Sequence, residues 1–179
     1  VYRESVERVG EYLRAHGVSA VLFHGGLDQQ LRERAIHRFA CGSCSVLVCT
    51  DLAARGLDIE GVDNVIHYHL PADQVTYVHR NGRTARWDGQ GNAYLIVGPQ
   101  EELPSYAAAH CTAYSLPHRV PAPAAPLWAT IYIGKGKKDK ISRGDVAGFL
   151  SKVGGLERDE IGRIDVLPQW SLSHIHIRR

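Results

Sequence analysis

Two short stretches of this 179-residue chain gather side chains that can act on phosphate. In the first, Thr50-Asp51-Leu52-Ala53-Ala54-Arg55-Gly56-Leu57-Asp58, an apolar run stops and a hydroxyl and a guanidinium become available to phosphate oxygens. Gly56 permits a turn that re-aims Asp58. Taken singly, Thr50 or Asp51 would serve equally as a helix cap, and Asp58 as a turn residue. The second stretch is His79-Arg80-Asn81-Gly82-Arg83-Thr84-Ala85-Arg86. Its arginines recur every third residue, so on a helix they crowd one face, where like charges repel unless an anion or carboxylates gather them. Planar guanidinium groups suit the charge that develops on a transferring phosphoryl group. Structural ion pairs would account for any one of these arginines but account poorly for all of them.

Such clusters need strands that stop at them and helices that hold them. Val6, Val9 and Leu13, followed by Gly17, predict a helix over about residues 3–16. Ala20 to Phe23 reads as a buried strand. Asp28 can cap a helix whose apolar face is Leu31, Ala35, Ile36 and Phe39 and which ends at Gly42. Strands are expected over 45–49, 62–68 and 92–97, with a helix over 73–80. This alternation implies an α/β fold, a parallel sheet covered by helices on both faces. Both clusters then fall beyond the carboxyl ends of strands, where open α/β sheets bind ligands. Pro117, Pro121, Pro123 and Pro126 make residues 116–127 a semi-rigid linker. Past it, a strand over 128–133, a helix over 143–153 and strands over 161–166 and 170–177 form the first part of a β-α-β-β unit.

Composition narrows the function classes. No apolar run is long enough for a bilayer-spanning helix, and the N-terminal residues lack an export pattern, so the cytoplasm is the expected compartment. Net charge is only +2, yet every lysine lies at or beyond Lys135, clustered as Lys135, Lys137, Lys138 and Lys140. A local basic loop suits phosphate contact better than the global charge does. Cys41 and Cys44 have the spacing of a redox or zinc pair, but no second pair stands at ligand spacing, and a turn after a helix is the preferred assignment; no metal site is expected. The chain starts at Val1 and holds no methionine, which makes a portion of a longer protein the expectation.

The strings TDLAARGLDI and HRNGRTAR resemble motifs V and VI of the DEAD-box RNA helicases, in order and each after its expected strand. FHGGLDQQLRERAIHRF resembles their motif IVa, with Gln29 and Arg32 at its Gln-x-x-Arg. The resemblance covers Phe23 to Gly91, about half the chain. It implies a C-terminal RecA-like lobe over residues 1–115 whose first strand is missing. It further implies that Arg83 and Arg86 are arginine fingers toward the γ-phosphate of ATP, and that Asp58 binds the ribose. ATP and Mg2+ would be held mainly by an N-terminal lobe that this chain does not include. Thr50 and Arg55 would touch the RNA backbone, Gly25 and Gly26 would allow its close approach, and His79 and Arg80 would couple nucleotide state to RNA grip. Gln29 and Arg32 would organise the RNA-facing helix. Asn81 and Ala85 stand where the family usually has isoleucine and glycine, and only altered packing is expected from that.

Residues 128–179 resemble the start of the RNA-binding domain attached to DbpA-like helicases, an RRM-like α+β fold that recognises a ribosomal RNA hairpin. Lys135, Lys137, Lys138, Lys140 and Arg143 are then the candidate RNA contacts. No Gly-x-x-x-x-Gly-Lys-Ser/Thr and no Asp-Glu-Ala-Asp occurs, so the chain by itself is expected to hydrolyse ATP negligibly. A stand-alone RNA-binding module or RNA chaperone is the alternative, and a thiol-redox or zinc protein using Cys41 and Cys44 is the weaker third.

Overall fold

Helix and strand alternate in the computed structural model, which describes residues 2–51, 59, 62–84 and 91–177. Helix α1 (Arg3–Ala15) carries Glu4 in its first turn and Arg14 in its last, matching the helix dipole at both ends. It stops where Gly17 takes a φ of +79°, a conformation costly for any residue with a Cβ. Strand β1 (Ala20–Phe23) leads into α2 (Gln29–Ala40), capped by Asp28, whose carboxylate accepts from the Leu31 amide at 2.7 Å. Gly42, at φ +69°, turns the chain into β2 (Val46–Cys49), which runs parallel to β1 with Phe23 opposite Cys49.

Strand β3 (Asn64–His67) pairs in parallel with β4 (Asn92–Leu95), and between them runs α3 (Gln74–Asn81), capped by Asp73 on the Thr76 amide at 2.7 Å. The parallel arrangement read from the sequence is thus present, divided among the described residues into two hydrogen-bonded pairs. Alternation along β1 decides what covers it. Val21 and Phe23 face α2 and join Ala35 and Cys44 in the core, whereas Leu22 faces α1 at Gly10. A Cβ at Gly10 would strike Leu22 Cδ2, so that glycine sets how closely α1 packs.

A short helix α4 (Ser105–Ala108) follows β4, and Tyr106 Oη donates to the Pro71 carbonyl. Its four residues are too few to show a period, and the sequence reading did not include it. Residues 111–127 carry no helix or strand and are almost wholly exposed. Then come β5 (Trp128–Ile133), α5 (Arg143–Lys152), β6 (Ile161–Val166) and β7 (Ser171–His176), giving an antiparallel sheet in the order β5-β7-β6. A reciprocal capping box starts α5: Ser142 Oγ accepts from the Asp145 amide, and Asp145 accepts from the Ser142 amide at 2.8 Å. Central strand β7 buries Ser171, Leu172, Ser173 and His174 in succession, the pattern of a strand covered on both faces.

Candidate phosphate and RNA interface

The C-terminal end of β2 and the last turn of α3 bring the two phosphate-type clusters together. Arg80 reaches from α3 to Asp51 with a bidentate pair, Nε to Oδ1 at 2.6 Å and Nη2 to Oδ2 at 2.8 Å. Its remaining nitrogen, Nη1, donates to the His69 carbonyl at 2.8 Å and lies 3.3 Å from His67 Nδ1. Burial alone would raise the Asp51 carboxyl, but the hydrogen bonds and charge of Arg80 outweigh it and hold the group below its ordinary value. Asp51 therefore stays ionised, and the spread of the Arg80 fork is fixed on three sides.

His67 ends β3 almost fully buried, at 1% exposure. Burial lowers its pKa most, the Arg80 charge lowers it further, and the bond to Asn81 only partly compensates, so the ring is neutral. A guanidinium can only donate, so Nδ1 must carry the lone pair that faces Arg80 and Nε2 must carry the proton. That proton goes to Asn81 Oδ1 at 2.8 Å. Asn81 thus fixes the tautomer that lets His67 accept from Arg80. Beyond the altered packing expected of it, the Asn81 amide is a hydrogen-bonding member of the network.

Arg83 is half-buried one turn beyond, and its carbonyl accepts from the Val62 amide at 3.3 Å, beside the parallel bridge between Val62 and Thr84. The Cys49 thiol lies near this strand end. Burial raises that thiol most and Asp51 raises it further, while Arg80 and Arg83 both draw it down. Both guanidinium groups therefore act on the same strand end, beside half-buried Thr50. Arg55, Asp58 and Arg86, named from the sequence, lie outside the described residues. His79 is exposed.

The motif IVa residues follow β1 and run into α2. Gln29 is exposed and donates to Glu33 at 2.8 Å, a bond internal to α2, while Arg32 Nε is buried without a hydrogen-bond partner. Gly25 has open space above its Cα, but the volume a side chain would need at Gly26 is filled by the Arg3 guanidinium. Neither His24 nor Glu7 was singled out from the sequence. His24 is 2% exposed, its Nδ1 accepts from the Gly26 amide at 3.2 Å, and Glu7 stands 3.7 Å from its Nε2.

In the C-terminal domain the basic loop is a built platform. The Lys137 and Lys138 amides donate to the Leu167 and Pro168 carbonyls at 2.9 Å each, and Ser171 Oγ donates to the Lys135 carbonyl at 2.8 Å. Lys140 holds φ +61°, which closes the single 3-10 turn Lys137–Asp139. Lys135 differs from its neighbours, because its Nζ is ion-paired with Asp139 at 2.8 Å, which raises its pKa. Lys137, Lys138, Lys140 and Arg143 are exposed, and Arg143 shares an open groove with Arg163 across Gly144 and Gly162. Cys41 and Cys44 are free thiols; burial pushes Cys44 up to about 11, so it is protonated at neutral pH.

Comparison with known proteins agrees with both halves. Residues 1–88 match the helicase conserved C-terminal domain, and residues 130–176 match the DbpA RNA binding domain. The C-terminal domain of the DEAD-box protein Dbp5 superposes with a TM-score of 0.52 at 35% identity, over 56% of this chain and 59% of that one. The fold is that of the C-terminal RecA-like lobe of a DEAD-box RNA helicase. ATP-dependent RNA helicase DbpA of Escherichia coli K12 is 35% identical over 181 residues, 98% of this chain and 39% of its own length. ATP-dependent rRNA helicase rrp-3 of Neurospora crassa is 52% identical over 91 residues, 51% of this chain and 18% of its own length. The chain therefore belongs to the DEAD-box helicases, in the DbpA-like branch, and spans well under half the length of these relatives.

Proposed function

We propose that this chain is the C-terminal part of an ATP-dependent RNA helicase that acts on structured, ribosomal RNA. One observation carries this reading: Arg80 clamps Asp51 and so ties the two clusters to one strand end. In this role Arg83 and Arg86 reach across a cleft to the γ-phosphate of ATP, and Asp58 takes its ribose. The donors described at this strand end are mainly cationic, which suits phosphate rather than a divalent cation, so Mg2+ and most of the nucleotide fall to an N-terminal lobe. Thr50, Arg55, Gly25 and Gly26 face the RNA backbone. His79, Gln29 and Arg32 support the coupling that Arg80 centres. The four exposed cations Lys137, Lys138, Lys140 and Arg143 grip an RNA hairpin, with Lys135 framing the loop through Asp139. Ribosomal RNA is favoured by the match to the DbpA RNA binding domain and by the relative named as an rRNA helicase. The protein works in the cytoplasm.

Arg83→Ala, made in the protein that carries both lobes, tests the central role. RNA-stimulated ATP turnover should fall by about a thousandfold or more, as for other arginine fingers, with RNA affinity held. Unchanged turnover would refute the assignment. The chain alone, titrated with ATP and RNA, should show no stimulated hydrolysis.

A further inference from the structure

The C-terminal sheet presents one face that RRM-like folds commonly use to stack unpaired bases on aromatic rings. Cross-strand pairing puts Thr130 opposite His174, and Tyr132 and Asp165 both opposite Leu172, so these side chains share that face. Side chains of α2 and of the turn after it reach this face, and Tyr132 at its edge keeps 42% exposure. The Arg34 guanidinium carbon stands 3.7 Å from the centroid of the Tyr132 ring, the spacing a stacked base would take. Gln30 Nε2 donates to Tyr132 Oη at 3.1 Å. Thr130 Oγ1 donates to Ser43 Oγ at 2.7 Å, and His37 Nδ1 lies 3.4 Å from Asp165 Oδ2.

His174 joins this contact through Thr130. His174 is 2% exposed, its Nε2 has no partner, and its Nδ1 lies 3.2 Å from Thr130 Oγ1. Leaving an acceptor unfilled costs less than leaving a buried N–H unfilled, so the proton sits on Nδ1 and points to Thr130. Thr130 in turn gives its own proton to Ser43. The Thr130–Ser43 bond is made only while the turn after α2 and the sheet stay together.

We propose that α2 is the resident occupant of this sheet face, that Arg34 takes the side of the Tyr132 ring on which a base would stack, and that the docked geometry fixes where the basic loop points relative to the helicase lobe. The last part rests on the RNA-binding reading of Lys137 to Arg143; the docking itself does not.

The test uses the full chain with Ser43→Cys and Thr130→Cys together. The hydroxyl oxygens are within hydrogen-bonding distance, so mild oxidation should join the pair without denaturant, with the linked peptide identified by mass spectrometry. A labelled stem–loop RNA should then bind the oxidised and reduced forms with affinities equal to within about twofold, because its cationic contacts lie off this face. Failure of the link to form, or stem–loop binding lost on oxidation, overturns the proposal. Arg34→Glu provides a second measurement without new cysteines. Amide exchange along β5 should rise about tenfold while α1 is unaffected, and unchanged exchange on β5 also overturns it. If the unmodified chain binds no stem–loop RNA at all, the RNA reading of the loop fails, and the link and the exchange data still decide the docking.

Discussion

Asp51→Asn probes the clamp that unites the two clusters. The substitution keeps the side-chain shape, removes the charge and turns one of its acceptor oxygens into a donor that opposes Arg80. Two charge-assisted hydrogen bonds are at stake, each worth ~1.5–3 kcal/mol when well formed. The side chains are 15% and 30% exposed, so water recovers part of the loss, and a coupling of about 2 kcal/mol is expected, less than the ~3–5 kcal/mol of a fully buried pair. For a chain of this size that corresponds to a melting-temperature drop of about 4–8 °C. Asp51 has contacts besides Arg80, so the number should come from a cycle of wild type, Asp51→Asn, Arg80→Gln and the double variant, each unfolded in urea.

Acid supplies an independent check with a defined sign. A carboxylate whose folded pKa lies below its unfolded one adds stability that is complete above about pH 4 and is lost as pH falls through the folded value. The gap between wild type and Asp51→Asn should be constant around neutrality and should close only in stronger acid. A coupling under about 0.5 kcal/mol, or a gap that persists unchanged to about pH 2, would refute the clamp.

Asn81→Ala strands the buried Nε2–H of His67 and should cost ~1–3 kcal/mol in urea unfolding, with the His67 tautomer changing in ring-nitrogen NMR; an unaltered ring would show that Asn81 does not set it. Lys137→Glu with Lys138→Glu should weaken stem–loop binding and reduce the slope of log affinity against log salt by about 1 for each phosphate contact removed, whereas an unchanged slope means that neither lysine meets RNA. Cys44, protonated at neutral pH and 2% exposed, should resist iodoacetamide in the folded protein and react only after denaturation; rapid labelling would revive a thiol function.

Local order was legible because its causes lie within a few residues of one another. Ala20–Phe23 was recognisable as a strand from its apolar run, one helix start from Asp28, and the helix ends from Gly17 and Gly42. Caps, periods and left-handed glycines act over one turn, so residue type and spacing suffice. The motif strings likewise placed Arg80, Arg83 and Arg86 in a helicase lobe before any fold was known.

The partners of those residues were not legible. Asp51 stands 29 positions from Arg80, and Asn81 stands 14 from His67, distances over which no period or cap operates. From sequence, Asp51 was a candidate helix cap and Asn81 a packing change, because nothing local says which buried ring needs an acceptor. The union of α2 with the C-terminal sheet joins residues 87 and 102 positions apart. Such pairs are decided only when packing brings their elements together and leaves each buried donor or acceptor to be met by whatever side chain the fold presents.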